Sequence, residues 1–273
     1  MNLNSQYNNR ERVPDHPAVV AGWSSDAASY RERSACQLGL AYGPHARHAY
    51  DLFEPDTAGA DAPVVVFVHG GYWQGLDRSP FSHMAAGCNA HGLTVAVPSY
   101  RLAPEFSVAD IIDDIRTLCL HLHKAHGRKL VVAGHSAGGH LAACAMAIDW
   151  TQHGAPAGLV AAGMGISGLY DLRPLMATYV NDALKLDGPA ARAASPLCWA
   201  PPSAGRFEAW VGGDESREYL RQSETLCAAW LGAGVDCTWQ ASDGDNHFTV
   251  VRHLADAGSD MTLALTRLCG VAR

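Results

Sequence analysis

A serine between small residues, where an apolar run ends and a helical one begins, can do chemistry. Gly134-His135-Ser136-Ala137-Gly138 fits G-x-S-x-G, preceded by the strand-like Leu130–Ala133 and followed by the helix-like Ala137–Trp150. This is the pattern of a nucleophile elbow, in which a sharp strand-to-helix turn projects a hydroxyl above a sheet. The neighbours two residues away must be small so that strand and helix can approach, and Gly134 and Gly138 meet that need. The competing reading is a serine that merely caps a helix after a glycine turn.

A serine hydroxyl is a weak nucleophile until a base takes its proton. The pattern therefore calls for oxyanion donors, a histidine and an acid, with the acid and then the histidine following the serine in the chain. Upstream, the apolar run Val64–Val68 ends in His69-Gly70-Gly71. Glycines let backbone N–H groups turn toward a substrate oxygen, so Gly70, Gly71 and Ala137 are the candidate donors. Downstream, "DGDNHFTVV" puts His247 in a polar loop just after the strand-like Val235–Gln240. His253 falls on the next helical stretch and is expected to face solvent or core. For the acid, "VGGDES" offers Asp214 and Glu215 side by side. Aspartate is the commoner choice by residue type, and both stay open on the residues alone. Such a set attacks an ester or amide carbonyl and needs no cofactor. Tyr72 and Trp73 follow the glycine pair and Tyr100 follows another strand end, where ligands of open α/β sheets bind. They are candidates for an aromatic substrate pocket, against the plainer alternative of core packing.

These residues must be held by a framework, and the chain alternates accordingly. Apolar runs at Val64–Val68, Leu93–Val97, Leu130–Ala133, Leu159–Ile166, Phe207–Val211 and Val235–Gln240 read as strands buried on both faces. Helical patterns fall at Phe81–Ala90, Val108–Ala125, Ala137–Trp150, Glu218–Leu231, Phe248–Leu254 and Ser259–Cys269. The alternation predicts an α/β fold, with a mostly parallel sheet covered by helices on both faces. Two weaker strands within residues 38–53 predict an antiparallel hairpin at one sheet edge. The whole of 1–273 reads as one domain. Its first 35 or so residues form either a flap over the site or a surface helix, with the surface helix preferred.

The net charge of −7 and the lack of a basic block argue against a nucleic-acid partner. No run of apolar residues is long enough to cross a membrane. The polar N-terminal sequence lacks the apolar core of a signal peptide. Eight scattered cysteines without a C-x-x-C pair read as reduced thiols of a cytoplasmic protein. Of His121, His123 and His126, only the last two would share a helix face, so no metal is expected. A homodimer is compatible with the sequence.

"HGGYW", "SYRLAPE" (Ser99–Glu105) and "GHSAGGHLAA" together resemble the α/β-hydrolase fold in its hormone-sensitive-lipase-like group. "YNNR", "HGGYWQ" and "VGGDESREYLRQS" resemble, more narrowly, the arylformamidase (kynurenine formamidase) branch and its bacterial esterase relatives. The resemblance runs over most of the chain, and it is specific for fold and reaction but much less so for substrate. It implies hydrolysis of a small aryl amide or ester through an acyl-enzyme. The alternatives are a general short-acyl carboxylesterase and, from another class, a hydrolase-fold binding module without catalysis. Such modules usually lose the serine or histidine, and both are present here. The branch carries V-G-x-x-D-S-P-E-F where this chain has Val211–Tyr219, which puts the implied acid on Glu215 rather than Asp214. Glutamate for aspartate, and Arg217 for proline, are the departures.

Overall fold

The computed structural model describes residues 2–57, 59 and 61–271. Eight strands form one sheet in the order β1-β2-β4-β3-β5-β6-β7-β8. They are β1 (Ala35–Ala41), β2 (Ala49–Glu54), β3 (Val64–Val68), β4 (Val95–Pro98), β5 (Leu130–His135), β6 (Val160–Ile166), β7 (Arg206–Gly212) and β8 (Asp236–Ser242). Only β2 runs against its neighbours, pairing antiparallel with both β1 and β4, while β4 through β8 are parallel. The edge hairpin and the parallel sheet are as expected from the sequence. Central β3 and β5 are buried along their whole length, as strands covered on both faces must be.

Two apolar layers sandwich the sheet. One packs the helices Val108–His126, Ala137–Ala147 and Arg217–Gly232 on Val64, Val66, Val132 and Phe207. The other packs the helices His16–Arg33 and Asp260–Leu268 on Val65, Phe67, Val131 and Met164. The Val108–His126 helix shows how locally some boundaries are set. Ser107 and Asp110 form a reciprocal capping box at its start, and Gly127, in the left-handed region, ends it.

Some expected helices are shorter or tighter. Phe81–Ala90 is a 3₁₀ segment, Ser79–Ala85, running into the short helix Ala86–Ala90. In place of Phe248–Leu254 there is a 3₁₀ turn, Val250–Ala255. The helix after Ser136 stops at Ala147, where Ile148 turns extended, and Trp150 begins a separate 3₁₀ turn.

The N-terminal segment differs most from expectation. It forms three helices, Leu3–Tyr7, Asn9–Arg12 and His16–Arg33. Trp23, Ala27 and Tyr30 face inward from the third. Their spacing of four and three residues is a helical face that carries this helix into the second layer. Tyr7 is wholly buried, its hydroxyl donating to Glu218 at 2.9 Å, and the segment reaches over the carboxyl ends of the strands rather than lying on the surface.

Candidate active site

Ser136 sits between β5 and the Ala137–Ala147 helix with φ 57° and ψ −118°, a strained backbone for a residue with a side chain. Its N–H donates to the Ile166 carbonyl at 2.7 Å, fixing the turn to β6. The turn closes only because its flanks are bare: a Cβ on Gly138 would run into the Val68 carbonyl. The same helix N-terminus favours negative charge beside Ser136.

His247 Nε2 lies 3.1 Å from Ser136 Oγ, and His247 Nδ1 lies 2.7 Å from Glu215 Oε2. Of the two candidate acids, Glu215 is the one whose carboxylate lies against His247. It is buried, its other oxygen accepts the Gly212 N–H at 2.8 Å, and the Ser167 hydroxyl donates to that same oxygen. Asp214 is exposed, and among the described residues its hydrogen bond to the histidine loop is made by its backbone N–H, which donates to the Asp245 carbonyl.

Two residues that the sequence did not single out complete this support. Ser167, just past β6, holds a positive φ of 52° that carries its hydroxyl to Glu215. Asp245, buried two residues before His247, accepts from Ser242 Oγ and His253 Nε2, both at 2.6 Å. His253 is therefore a brace of the histidine loop. Ser167 is joined to Glu215 across 48 residues and left no local signal, whereas the second acid of "DGDNH" was visible beside the histidine.

The His69-Gly70-Gly71 loop faces the serine. Among the described residues, the N–H groups of Gly70, Gly71 and Ala137 have no acceptor, so they are free to meet an oxyanion. Gly71 has φ +109°, and a Cβ there would strike the Gly75 carbonyl. His69 Nδ1 donates to the Gly70 carbonyl at 2.7 Å, and burial pushes its pKa down to about 4, so the ring is a neutral strut. His135 is also buried, with Nε2 donating to the His247 carbonyl at 2.8 Å. Burial, and then the neighbouring His247, hold its pKa well below the usual histidine value.

A cavity of about 890 Å³ opens over Ser136 and His247. Its aromatic wall is not the one expected. Tyr72 does line it, but Trp73 and Tyr100 do not. Trp73 is wholly buried in the core, edge-on to His140 with ring centres 5.0 Å apart. Tyr72 and Trp73 both have positive φ, a kink that sends their side chains different ways. Tyr100 is also fully buried; its hydroxyl donates to the His69 carbonyl at 2.8 Å and its ring stacks on His69 at 4.3 Å. It supports the oxyanion loop from behind. The rest of the aromatic wall comes from Trp23 and His16 of the N-terminal segment, from Tyr179, and from Phe248, whose ring stacks on His16 at 5.2 Å.

The N-terminal wall is locked to the site by a chain of hydroxyls. Asn9 Nδ2 donates to Tyr219 Oη at 2.9 Å, Tyr219 and Tyr72 hydroxyls meet at 2.7 Å, and the Tyr72 hydroxyl donates to the Tyr7 carbonyl at 2.5 Å. The Tyr219 ring also lies 4.7 Å from that of His247. The helix histidines have separate local contacts: His121 Nε2 is 3.4 Å from the Tyr50 hydroxyl, and His123 Nδ1 donates to the Arg128 carbonyl. Among the described residues, no group of three or more side chains is placed to hold a metal, and no helix is long and apolar enough to cross a membrane.

Residues 65–251 match the family described by the alpha/beta hydrolase fold. The chain belongs to the α/β-hydrolase fold family. Within it, the chain is 30% identical over 249 residues to kynurenine formamidase of Danio rerio, covering 88% of this chain and 85% of that protein. It is 30% identical to kynurenine formamidase of Salmo salar, over 85% of this chain and 82% of the relative. A solved protein of Silicibacter sp. TM1040, provisionally named a thioesterase, superposes with a TM-score of 0.89 at 35% identity, over 97% of this chain and 99% of its own. The α/β-hydrolase assignment accounts for the sheet order, the strained serine and the placement of all three site loops at the carboxyl ends of the strands.

Proposed function

We propose that this α/β hydrolase is an arylformamidase-like serine hydrolase, cleaving a small aryl amide or ester through an acyl-enzyme. The observation that carries the reading is the unbroken relay from Ser136 Oγ to His247 to Glu215 at the floor of the cavity. His247 Nε2 takes the Ser136 proton as Oγ adds to the substrate carbonyl. The resulting oxyanion accepts hydrogen bonds from Gly70, Gly71 and Ala137. His247 then gives that proton to the leaving amine or alcohol as the bond to the acyl carbon breaks. In the second half, the same nitrogen takes a proton from water, the hydroxide adds to the acyl carbon, and the proton returns to Ser136 as the acid leaves. Glu215 holds the imidazole with its proton on Nδ1 and stabilises the imidazolium formed at each addition.

The aryl preference is supported by the wall of Trp23, Phe248 and His16, and by the kynurenine formamidases among the relatives. The test pairs fluorophosphonate labelling with a substrate series. Label should fall on Ser136 and be lost in Ser136→Ala. kcat/KM should be highest for formyl or acetyl aryl amides and esters, and fall with longer acyl groups by about 10–200-fold for each methylene that does not fit. A maximum at butyryl or beyond would replace the proposal with a general carboxylesterase. Ester hydrolysis without amide hydrolysis would remove the formamidase assignment.

A further inference from the structure

All eight cysteines are free thiols, and among the described residues one hydrogen bond joins two of them. Cys237 Sγ donates to Cys227 Sγ at 2.9 Å, and Cys227 Sγ donates in turn to the Thr238 carbonyl at 3.2 Å. Cys227 is on the buried face of the Arg217–Gly232 helix and Cys237 is in β8. Both lie in the apolar layer that also holds Phe207 and Trp230. Cys88, Cys119 and Cys269 are buried too, without a sulfur partner among the described hydrogen bonds, so burial alone does not bring thiols together in this chain. The pair sits where the fold opens most easily. β8 pairs with β7 on one side and ends the sheet on the other. The turn that joins helix and strand, residues 231–234, is exposed, as are Asp236, Thr238, Trp239 and Gln240. An edge strand and its turn open locally at less cost than the core does. While they are closed, the hydrogen bond to Cys227, and then burial, hold Cys237 well above the ordinary thiol range, so the pair stays protonated and reacts through the opened turn.

From this juxtaposition we infer that Cys227 and Cys237 are a modification site, a dithiol that a small-molecule disulfide converts into an intrachain disulfide fastening the Arg217–Gly232 helix to β8. One cysteine, as thiolate, attacks a sulfur of the small disulfide and releases one of its thiols, leaving a mixed disulfide on the protein. The second cysteine thiolate attacks the protein-side sulfur and releases the other thiol. Two protein S–H bonds and one small-molecule S–S bond are lost, one protein S–S bond and two small-molecule S–H bonds are gained, and two electrons pass from the protein to the reagent. The closed geometry favours this pair over a lasting mixed disulfide, because the sulfurs need approach by only about 0.9 Å more to reach bond length. The bond fastens the scaffold behind the site: Glu215 stands just before the helix and His247 in the loop after β8. It does not depend on which substrate bond the site cleaves.

The test incubates the full chain with excess oxidised glutathione, alkylates the remaining thiols with iodoacetamide in denaturant, and maps the peptides. Both cysteines fall in the tryptic peptide Gln222–Arg252. That peptide should be unalkylated and lighter by two hydrogen atoms. A further chymotryptic cut at Trp230 or Leu231 should leave two fragments joined until a reductant parts them. The other six cysteines should alkylate as in the reduced protein. The oxidised protein should melt about 5–10 °C above the reduced one, as closure of a loop of this length predicts. Dithiothreitol should abolish the difference, and Cys227→Ala and Cys237→Ala should each lack it. Full alkylation of both cysteines after oxidation, a lasting glutathione adduct on either, or a bond from either to one of the other six would overturn the assignment, and the mapping reads all three on the unsubstituted chain. An oxidised form that carries the bond but melts no higher than the reduced one would overturn its fastening role.

Discussion

Glu215→Gln changes one atom and sets two demands against each other. In the wild type, one carboxylate oxygen accepts from Gly212 N–H and Ser167 Oγ while the other accepts from His247 Nδ1–H. An amide has one acceptor and one donor. If its oxygen stays on Gly212 and Ser167, its NH₂ faces Nδ1. The imidazole must then move its proton to Nε2, where it can no longer accept from Ser136. If the amide flips to keep the productive tautomer, its NH₂ confronts the buried Gly212 N–H, at a cost of about 1–3 kcal/mol for an unsatisfied donor. In either orientation the imidazolium loses a charged partner, which costs roughly a further 1.5–3 kcal/mol. The two losses sum to about 2.5–6 kcal/mol, or about 10²–10⁴ in kcat. Asp214→Asn, at an exposed position, should change kcat less than about twofold. The assay is initial-rate kinetics on an aryl acetate, normalised to sites counted by fluorophosphonate so that misfolded enzyme is not scored as slow enzyme. A Glu215→Gln enzyme keeping more than a tenth of wild-type kcat, or an equal loss in Asp214→Asn, would refute the reasoning.

Two further outcomes follow from burial. Trp73→Ala should cost about 3–5 kcal/mol of stability, as removal of a large core side chain does, and leave the ranking of acyl chain lengths unchanged; the urea midpoint and the substrate series read both, and an altered ranking would return Trp73 to the pocket. His69 and His140 are fully buried, and burial depresses both to about 4 from 6.5. The unfolded chain therefore binds protons that the folded one refuses, so stability is intact above pH 6.5, declines as pH falls toward 4, and loses about 3 kcal/mol for each histidine; a denaturation midpoint unchanged from pH 7 to 4.5 would contradict this.

What could be read from the sequence was what sterics make local. The elbow is written in five consecutive residues, because a turn that tight tolerates side chains at few positions, and the oxyanion loop is likewise a short glycine run. The strands of a doubly covered sheet announce themselves as short apolar runs. The acid could be narrowed only to Asp214 or Glu215 from the residues themselves. The choice depends on which residue of the turn points inward, and that is set by the Gly212 N–H and Ser167, the latter 48 positions away. Between pocket and core, Trp73 falls to the core although it follows the glycine pair directly, because two positive-φ residues break the equivalence of adjacency in sequence and adjacency in space. The role of the N-terminal segment was hidden for a related reason. Its anchors lie on Glu218 and Tyr219, more than 200 residues distant. The inward face of Trp23, Ala27 and Tyr30 is nonetheless present in the spacing, once the alanine is counted with the two aromatic residues.

The N-terminal wall has a consequence for how such a protein can diversify. Ser136, Glu215, His247 and the Gly70-Gly71 loop, proposed above to carry the reaction, all fall within residues 65–251, the stretch matched by the family. Trp23 and His16, which line the cavity above them, lie ahead of that stretch and join it through hydroxyl and amide contacts and through the apolar layer that Trp23 enters. On the proposed reading, the bond-breaking groups thus fall in one stretch of the chain, and the cavity wall is shared between that stretch, through Tyr72 and Phe248, and the segment ahead of it. Substitutions at wall positions of the N-terminal segment such as His16, with the buried anchors Tyr7, Asn9, Trp23 and Tyr30 kept, would reshape the mouth of the cavity without replacing any of the groups proposed to break the bond.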